Sequence, residues 1–378
     1  SEVCIRDRGT IMKKQFELPT YHEPDFTQDK FVKAPNATLV EVEKDGISPE
    51  NYHALSVFPE YFKINNKWVL AVQSRMDTVC VAHDTPGQES VDIVEFRNLK
   101  KGDKVVVGRT EDGSEGIFVH TEGFLEEASE AATFGFRTGR SRETAFSKDY
   151  DDIFDLLEYE KENNGYITWI LGTATSLDQK SRHALQKLVE AGYMNAIFCG
   201  TTAVAADLEL GTYGSVIGQA EYLNDQNSYQ NYYEVINAVN EAGGIEAYVK
   251  SGKVKDGFVK ACIENGVEIV IAGTIRDRLT FPDTYNDVYE AQDAMRAHVK
   301  KTSTIIMTSA ILFTIASGNM TPSYNEFDGK VRPVYMYTVD IQEFAVNKLS
   351  DRGTLTAKSI VTNTQDFVSH ISRYLTQD

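Results

Sequence analysis

The stretch that decides the fold covers residues 166–174 and reads YITWILGTA. Its first six residues carry no charge and are mostly apolar, as in a strand that is buried on both faces of a sheet. Gly172 and two small residues end this run, and Leu185, Leu188 and Val189 then follow at helical spacing. A buried strand that leads directly into a helix predicts the first unit of a parallel α/β sheet.

The same alternation of strand and helix continues to the C-terminus. Strands are predicted at residues 194–199, 267–272, 304–307 and 334–339. Helices are predicted at residues 176–192, 233–241, 254–265, 288–300, 310–316 and 342–349, and Gly266 is the expected C-cap of the third. Continuous apolar strands between helices predict a Rossmann-like doubly wound parallel sheet of the α/β class over residues 166–378.

The chain before this sheet has a different pattern. Short runs rich in β-branched residues occur at residues 38–42, 68–72, 78–81 and 104–108, with turn signals such as Pro86-Gly87 between them. We therefore expect a smaller β-rich or α+β domain over residues 12–136.

Two segments are expected to lie outside these domains. Residues 137–165 are charged and fit a connector, although Ile153, Phe154 and Leu157 allow one or two turns of amphipathic helix. Residues 1–11 lack the apolar run of a secretory signal, and we expect them to be a non-native or disordered extension.

The charge balance narrows the choice of partners. The 378 residues include 38 Lys+Arg and 56 Asp+Glu, which give a formal net charge of −18. An acidic chain is poorly suited to bind nucleic acid or an anionic membrane. The uncharged residues 302–320 approach membrane-spanning length, but their Thr and Ser residues favour a buried strand followed by a buried helix. We therefore expect no nucleic-acid partner and no membrane contact.

The cysteines and histidines indicate neither a metal site nor a disulfide framework. Cys4, Cys80, Cys199 and Cys262 are far apart in sequence and form no Cys-x-x-Cys pair. The last two interrupt apolar runs, as small buried hydrophobic residues do, and the histidines lack the spacing of metal ligands. We therefore expect a cytoplasmic protein without a bound metal.

The first candidates for a binding site are the turns that follow the predicted strands. Ligands of open α/β sheets bind at the carboxyl ends of the strands, where small residues allow close approach and helix N-termini bind a diphosphate. No G-x-G-x-x-G motif is present, so ordinary turns between strand and helix are the alternative. The candidate turns are Gly172-Thr173-Ala174, Gly200-Thr201-Thr202, Gly273-Thr274-Ile275-Arg276-Asp277 and Val339-Asp340-Ile341.

Two of these turns carry charged side chains, and each of them can be interpreted either as ligand-binding or as structural. Asp340 ends a β-type run and is suited to accept hydrogen bonds from ribose hydroxyls, or else it caps the next helix. Arg276 and Asp277 directly follow a buried strand and face a ligand, or else they form a surface ion pair.

Several longer motifs make a family resemblance recognisable. They read VIAGTIRD at residues 270–277, DVYEAQDAMR at 287–296, IASGNM at 315–320, VDI at 339–341 and KLSDRG at 348–353. In this order they resemble the archaeal-type NAD-dependent ornithine cyclodeaminases, which share the conserved region named for lysine-oxoglutarate reductase/saccharopine dehydrogenase. The resemblance covers residues 166–378 strongly and the N-terminal domain more weakly.

The resemblance implies a tightly held NAD in a deoxyhypusine-synthase-like Rossmann domain and a homo-oligomer, a dimer or tetramer. It also implies a redox-neutral cycle: the α-carbon of a basic amino acid loses hydride to NAD, the side-chain amine displaces ammonia, and NADH reduces the cyclic imine to proline. Asp277 is the expected carboxylate for proton transfer and Arg276 the expected cation for the substrate carboxylate. The residues implied around the cofactor are Thr201, Thr202, Gly273, Thr274, Ile275, Asp277, Ser309, Gly318, Asn319, Met320 and Asp340.

This chain also departs from the family pattern. The family's Gly-Asn-Ala turn is Gly200-Thr201-Thr202 here, and the family's histidines align with Ala206, Tyr229, Tyr232 and Phe313. The amino-acid substrate therefore stays open, with ornithine or a close variant as the leading choice. The alternatives are a non-catalytic NAD-binding regulatory protein and an imine reductase or amino-acid dehydrogenase with a different substrate.

Overall fold

Two small antiparallel sheets form the N-terminal part of the chain. The computed structural model describes residues 16–124, 145–216, 229–275, 277, 279–342 and 355–376. The strands of these sheets are β1 (Thr38–Glu41), β2 (Glu60–Ile64), β3 (Lys67–Leu70), β4 (Thr78–His83), β5 (Ser90–Glu95), β6 (Lys104–Val107) and β7 (Ile117–Val119). One sheet has four strands in the order β1-β6-β4-β5, and the other has three in the order β3-β2-β7. The fully buried Phe62, Cys80 and Val106 belong to one core between them. A short helix, α1 (Asp29–Val32), precedes the strands.

A seven-stranded parallel sheet forms the C-terminal part. Its strands are β8 (Ile167–Leu171), β9 (Ala196–Gly200), β10 (Glu268–Ala272), β11 (Thr284–Tyr285), β12 (Thr304–Thr308), β15 (Tyr335–Asp340) and β16 (Ala357–Val361). They lie in the order β11-β10-β9-β8-β12-β15-β16, and every neighbouring pair is parallel. An antiparallel hairpin, β13 (Tyr324–Phe327) and β14 (Lys330–Pro333), precedes β15. The predicted Rossmann-like parallel sheet and the smaller N-terminal β-sheet domain are both confirmed.

Helices cover both faces of this sheet, as the apolar strands require. They are α2 (Ala145–Glu162), α3 (Ala174–Leu177), α4 (Gln179–Glu190), α5 (Thr201–Tyr213), α6 (Gln230–Ala242), α7 (Ile245–Lys250), α8 (Phe258–Asn265), α9 (Val288–Val299), α10 (Ile311–Met320) and α11 (Thr364–Thr376). Successive side chains of a strand point to opposite faces. Trp169 in β8 accordingly packs with α2, α4, α5, α8 and α11, whereas Ile170 packs with α9 and α10.

Local capping residues set several helix ends. The Asp178 side chain accepts a hydrogen bond from the Ser181 N–H at 2.8 Å and begins α4. Asp287 accepts from two N–H groups at the start of α9. Gly266 ends α8 with φ +68°, which confirms the predicted C-cap.

Helix α2 replaces much of the connector expected at residues 137–165. It has 18 residues rather than one or two turns, and Ile153, Phe154, Leu156 and Leu157 are buried in the same core as β8. Exposed charged residues of the same helix, among them Asp151, Lys161 and Glu162, flank this apolar stripe, and an average over the composition hides it. Residues 125–144 lie outside the described residues.

The N-terminal part packs along α9 and the β13-β14 hairpin. Glu95, at the end of β5, contacts the Arg296 guanidinium at 2.6 Å. The Tyr324 phenol of the hairpin lies 3.3 Å from the Glu60 N–H and also bonds the Ala71 carbonyl oxygen. These contacts join two parts of the chain that are more than 190 residues apart in sequence.

The structure agrees with some of the remaining predicted elements and adds others. The strand predicted at residues 304–307 and the helix predicted at 310–316 correspond to β12 at 304–308 and α10 at 311–320, and Cys199 and Cys262 are buried. The predicted helix at 342–349 lies almost entirely outside the described residues. Strand β16 and helix α11 were not predicted. No helix in the described ranges is both long enough and apolar enough to span a bilayer.

Candidate cofactor and substrate site

The order of the seven strands locates the candidate site. Strands β9 and β10 lie on one side of β8, and β12 and β15 lie on the other, so the direction of winding reverses between β8 and β12. Ligands of such sheets bind at the carboxyl ends of these two strands. Gly172 follows β8 there, and Ser309 follows β12. A Cβ atom on Gly172 would lie 2.2 Å from the Ser309 carbonyl oxygen, so the two strand ends meet only because residue 172 is glycine.

Helix α5 starts at the next strand end with an uncapped N-terminus. Its N-cap residue is Gly200, which has no side chain to accept the first helical N–H groups. Thr201 is 1% exposed, and its hydroxyl has no hydrogen-bond partner in the described structure. A Cβ atom on Gly200 would have its nearest neighbours at 4.0 Å, so the space beside this strand end is open. An open helix N-terminus with a buried free hydroxyl is suited to bind an anionic group.

The turn after β10 holds Asp277 by two hydrogen bonds. Its carboxylate accepts from the Thr274 N–H at 2.8 Å, and its own N–H donates to the Thr274 carbonyl oxygen at 3.0 Å. The Thr274 hydroxyl is buried and has no partner in the part of the chain that the structure describes. Ile275, next to it, is fully exposed. Arg276 lies outside the described residues.

The turns after β12 and β15 complete this edge. Ser309 has φ +45°, which is rare for a residue with a side chain, and its hydroxyl lies 2.7 Å from the Thr364 hydroxyl. One Asp340 carboxylate oxygen accepts a hydrogen bond from the Gln342 N–H at 2.9 Å. This local contact is of the type expected if Asp340 caps the next helix. The second carboxylate oxygen of Asp340 can accept a hydrogen bond from a ligand.

The structure brings together most, but not all, of the residues predicted around the cofactor. Gly273 follows β10, and its N–H donates to the Tyr285 carbonyl oxygen of β11 at 2.9 Å. With the residues above, it lies along an edge of five strands that spans about 19 Å. Gly318, Asn319 and Met320 are at the other end of α10, about 11–14 Å along its axis from Ile311. Met320 packs there in the apolar core, because the helix runs away from the carboxyl edge.

Two of the four positions where the family has histidines lie at this edge. The Phe313 ring is one of the nearest groups to Gly200. The Tyr232 phenol lies close to the Thr202 side chain; burial raises the pKa of that phenol, and Thr202 lowers it by less. Ala206 is fully buried in an apolar cluster on α5, and Tyr229 is 52% exposed at the start of α6. Only Tyr232 and Phe313 therefore have side chains at the ends of β9 and β10.

The reasoning from sequence missed Ser176 and did not show the importance of Gly172 or Tyr232 at this site. Gly172 was a candidate turn residue, but only the strand order gives it the central position. Ser176 of α3 is fully buried, and its hydroxyl has no partner among the described residues. Tyr232 follows no strand, and only alignment with the family pointed to it. Ser176, Thr201 and Thr274 follow three neighbouring strands, and their buried hydroxyls have no hydrogen-bond partner in the ranges that the structure describes. Three such hydroxyls fit a polar ligand that lies across the strand ends.

Other acidic residues near the sheet have structural roles. Asp207 is fully buried, pairs with Arg182 at 2.6 Å, and accepts from the Val259 N–H at the start of α8 at 3.0 Å. Asp293 pairs with Arg296 and Arg97 at the contact with the N-terminal part. In the described ranges no group of three or more His, Cys, Asp or Glu side chains is arranged to hold a metal ion.

Comparison with known proteins gives matches over most of the chain. Residues 151–371 match the family described as arginine dihydrolase ArgZ-like, C-terminal, Rossmann fold. An ornithine cyclodeaminase of Methanococcus maripaludis is 32% identical over 341 residues, which are 88% of this chain and 78% of that protein.

Solved structures agree in fold. A conserved putative LOR/SDH protein from Methanococcus maripaludis S2 has a TM-score of 0.78 and 30% identity, covering 91% of this chain and 99% of the other. The complex of AgrE with ornithine and NAD+ has a TM-score of 0.54 and 26% identity, covering 91% of this chain and 46% of AgrE. AgrE of Nostoc is named a bifunctional arginine dihydrolase/ornithine cyclodeaminase.

Proposed function

Because the chain belongs to the archaeal-type ornithine cyclodeaminase family, with its ArgZ-like Rossmann domain, we propose that it is an NAD-dependent enzyme that converts ornithine to proline and ammonia. The observation that carries this proposal is the carboxyl edge of the sheet. An uncapped helix N-terminus, buried free hydroxyls and a carboxylate lie there together in a chain whose relative AgrE binds ornithine and NAD+.

The residues at this edge fit a dinucleotide. The first N–H groups of α5 and the Thr201 hydroxyl are suited to the diphosphate. Asp340 has a carboxylate oxygen suited to ribose hydroxyls, as an acid at a strand end often has in this fold. Bound NAD supplies the chemistry of a hydride acceptor and donor. The protein holds and orients the reactants.

Asp277 is the residue best placed to move protons. Its carboxylate accepts a hydrogen bond from the Thr274 N–H, and this bond holds the side chain in one orientation at the strand end. Cyclisation requires a base for the attacking amine and an acid for the departing ammonia. One carboxylate performs both tasks if it takes the first proton and returns it in the second step.

The proposal is tested on the purified full chain. We expect NAD to copurify, and added ornithine to yield proline and ammonia in equal amounts with no net NADH, measured by amino-acid analysis and absorbance. Retained NAD with no product from any basic amino acid would favour the regulatory alternative. Net NADH accumulation would indicate a simple dehydrogenase.

A further inference from the structure

The segment of residues 362–365 joins β16 to the first turn of α11 and runs across the carboxyl edge of the sheet. It forms a hydrogen bond at the end of each of the three strands that precede β16 in sheet order. These bonds join the Thr362 N–H to the Asp340 carbonyl oxygen of β15 at 3.0 Å, the Thr364 hydroxyl to the Ser309 hydroxyl after β12 at 2.7 Å, and the Gln365 side-chain amide to the Ala174 carbonyl oxygen after β8 at 2.9 Å. A short segment near the C-terminus thus connects the strand ends around the candidate site.

Thr364 is the buried residue of this segment. It is 4% exposed and occupies the first position of α11. The start of the helix is capped independently of it, because the Asn363 side chain accepts from the Gln365 and Asp366 N–H groups at 2.9 and 3.2 Å. The Thr364 hydroxyl is therefore not needed to begin the helix, and it bonds Ser309 instead.

Ser309 has a backbone conformation that needs support from its surroundings. Its φ of +45° is left-handed, which residues with a side chain rarely adopt. Its N–H donates to the Val339 carbonyl oxygen at 3.1 Å, and its carbonyl oxygen packs against Gly172 at the end of β8. Strained conformations persist where several contacts hold them, and they are concentrated at binding sites. The hydrogen bond to Thr364 adds such a contact and holds the Ser309 side chain in one orientation.

The pair of hydroxyls leaves one O–H group for a ligand. Thr364 is more buried than Ser309. We assign Thr364 as the donor, because a buried hydroxyl that does not donate leaves its hydrogen without an acceptor. Ser309 then keeps its own O–H, and the turn after β12 places it beside the end of β8. An O–H donor there suits an oxygen acceptor, and a dinucleotide offers such oxygens on its diphosphate, riboses and carboxamide.

From these contacts we propose that Thr364 is a positioning residue for the dinucleotide: it orients Ser309, and Ser309 donates to an oxygen of NAD between the ends of β8 and β12. The inference rests on the proposed function and extends it to the β16–α11 unit, which none of the candidate turns includes. Thr364 acts through Ser309 and does not itself contact the ligand, because it is buried and its hydroxyl bonds Ser309.

The test measures NAD binding by calorimetry on the full chain depleted of nucleotide, so it requires no turnover. Thr364→Val keeps the shape of the side chain and removes the hydroxyl, and we expect it to raise the Kd for NAD about 5–10-fold, the effect of one lost hydrogen bond. Thr364→Ser restores the hydroxyl and should bring the Kd to within about 2-fold of the wild type. Thr376→Val is the matched control, since the Thr376 hydroxyl donates to the Ser372 carbonyl oxygen at 2.7 Å at the other end of α11. Its Kd should be that of the wild type.

A double-mutant cycle shows whether Thr364 acts through Ser309. Ser309→Ala should raise the Kd at least as much as Thr364→Val, and the double variant should bind NAD no more weakly than Ser309→Ala alone. The melting temperatures of the nucleotide-free variants should stay within about 4 °C of the wild type. An unchanged Kd in Thr364→Val, a Kd that Thr364→Ser does not restore, or additive effects in the cycle would each overturn the inference. A wild-type chain that binds no NAD would instead reject the proposed function.

Discussion

At the scale of single residues, chemistry depends on a few side chains held by backbone contacts. Asp277 shows this best, because its carboxylate is tied to the Thr274 N–H and still lies at the open edge of the sheet. A carboxylate fixed in this way can have two roles: it closes the turn through its hydrogen bond, and it can transfer a proton. Substitution with an isosteric amide separates these two roles, because an amide oxygen still accepts the hydrogen bond from the Thr274 N–H but cannot take up the proton in the same way.

We predict that Asp277→Asn lowers turnover by about 10²–10⁴-fold, because the amide cannot exchange a proton with the substrate amine. Bound NAD and the melting temperature should be those of the wild type. Steady-state kinetics on ornithine and a melting curve on the same preparation measure this. Normal turnover would show that Asp277 only closes the turn, and loss of NAD would place it in the cofactor site.

At the scale of elements, one buried cluster joins three helices behind the site. Arg182 of α4 is fully buried, pairs with Asp207 of α5 at 2.6 Å, and also contacts Asp256 at 2.6 Å just before α8. Gly257 has φ +118°, and a Cβ atom there would lie 2.3 Å from the Arg182 guanidinium. The cluster therefore requires glycine at this position as well as both charges.

Arg182→Met should lower the free energy of unfolding by about 3–5 kcal/mol, because it leaves the Asp207 carboxylate buried without its cation. Urea unfolding followed by circular dichroism measures the change. Lys180→Met, on the exposed surface of the same helix, is the control and should change the free energy by less than about 0.5 kcal/mol. Equal effects of the two substitutions would argue against a structural role for the buried pair.

At the scale of the whole molecule, ion pairs join the N-terminal part to α9. Burial raises the pKa of Glu95, but the Arg75 and Arg296 guanidinium groups outweigh it and hold the pKa at about 2 instead of 4.5. The folded state therefore favours the carboxylate form of Glu95. Its stabilising contribution is complete above pH 4.5 and is lost as the pH falls towards 2.

Because Glu95 is partly exposed and solvent screens its charge, we expect its ion pairs to contribute about 1–2 kcal/mol of stability at neutral pH. We predict that Glu95→Gln lowers the free energy of unfolding at pH 7 and that the difference from the wild type shrinks as the pH falls from 5 to 3. Denaturant titrations at four pH values measure this, with the exposed Glu43→Gln as control. A difference that stays constant with pH would mean that the charge of Glu95 contributes little to the contact.

The same edge of the molecule that carries the site also exposes large apolar side chains. Ile275, Leu312 and Ile341 are at least 66% exposed there, each in a turn or helix start after a different strand. Exposed apolar surface of this kind is typical of protein interfaces. We therefore predict a dimer or tetramer by light scattering, and a shift to lower mass in Leu312→Glu but not in Val32→Glu on the N-terminal part. A monomer with NAD bound would contradict this.

The amino-acid sequence by itself determined the alternation of strand and helix after residue 166 and the family to which the chain belongs. Those signals are local: continuous apolar runs, helical spacing, a C-cap glycine at 266 and short motifs in a fixed order. Only the tertiary structure decided the strand order, which places Gly172 against Ser309 and carries Met320 away from the edge. It also decided that residues 145–162 form a helix whose apolar face is buried against the sheet. The physical reason is that these outcomes depend on packing between residues far apart in the chain, and local patterns carry no information on which distant surfaces meet.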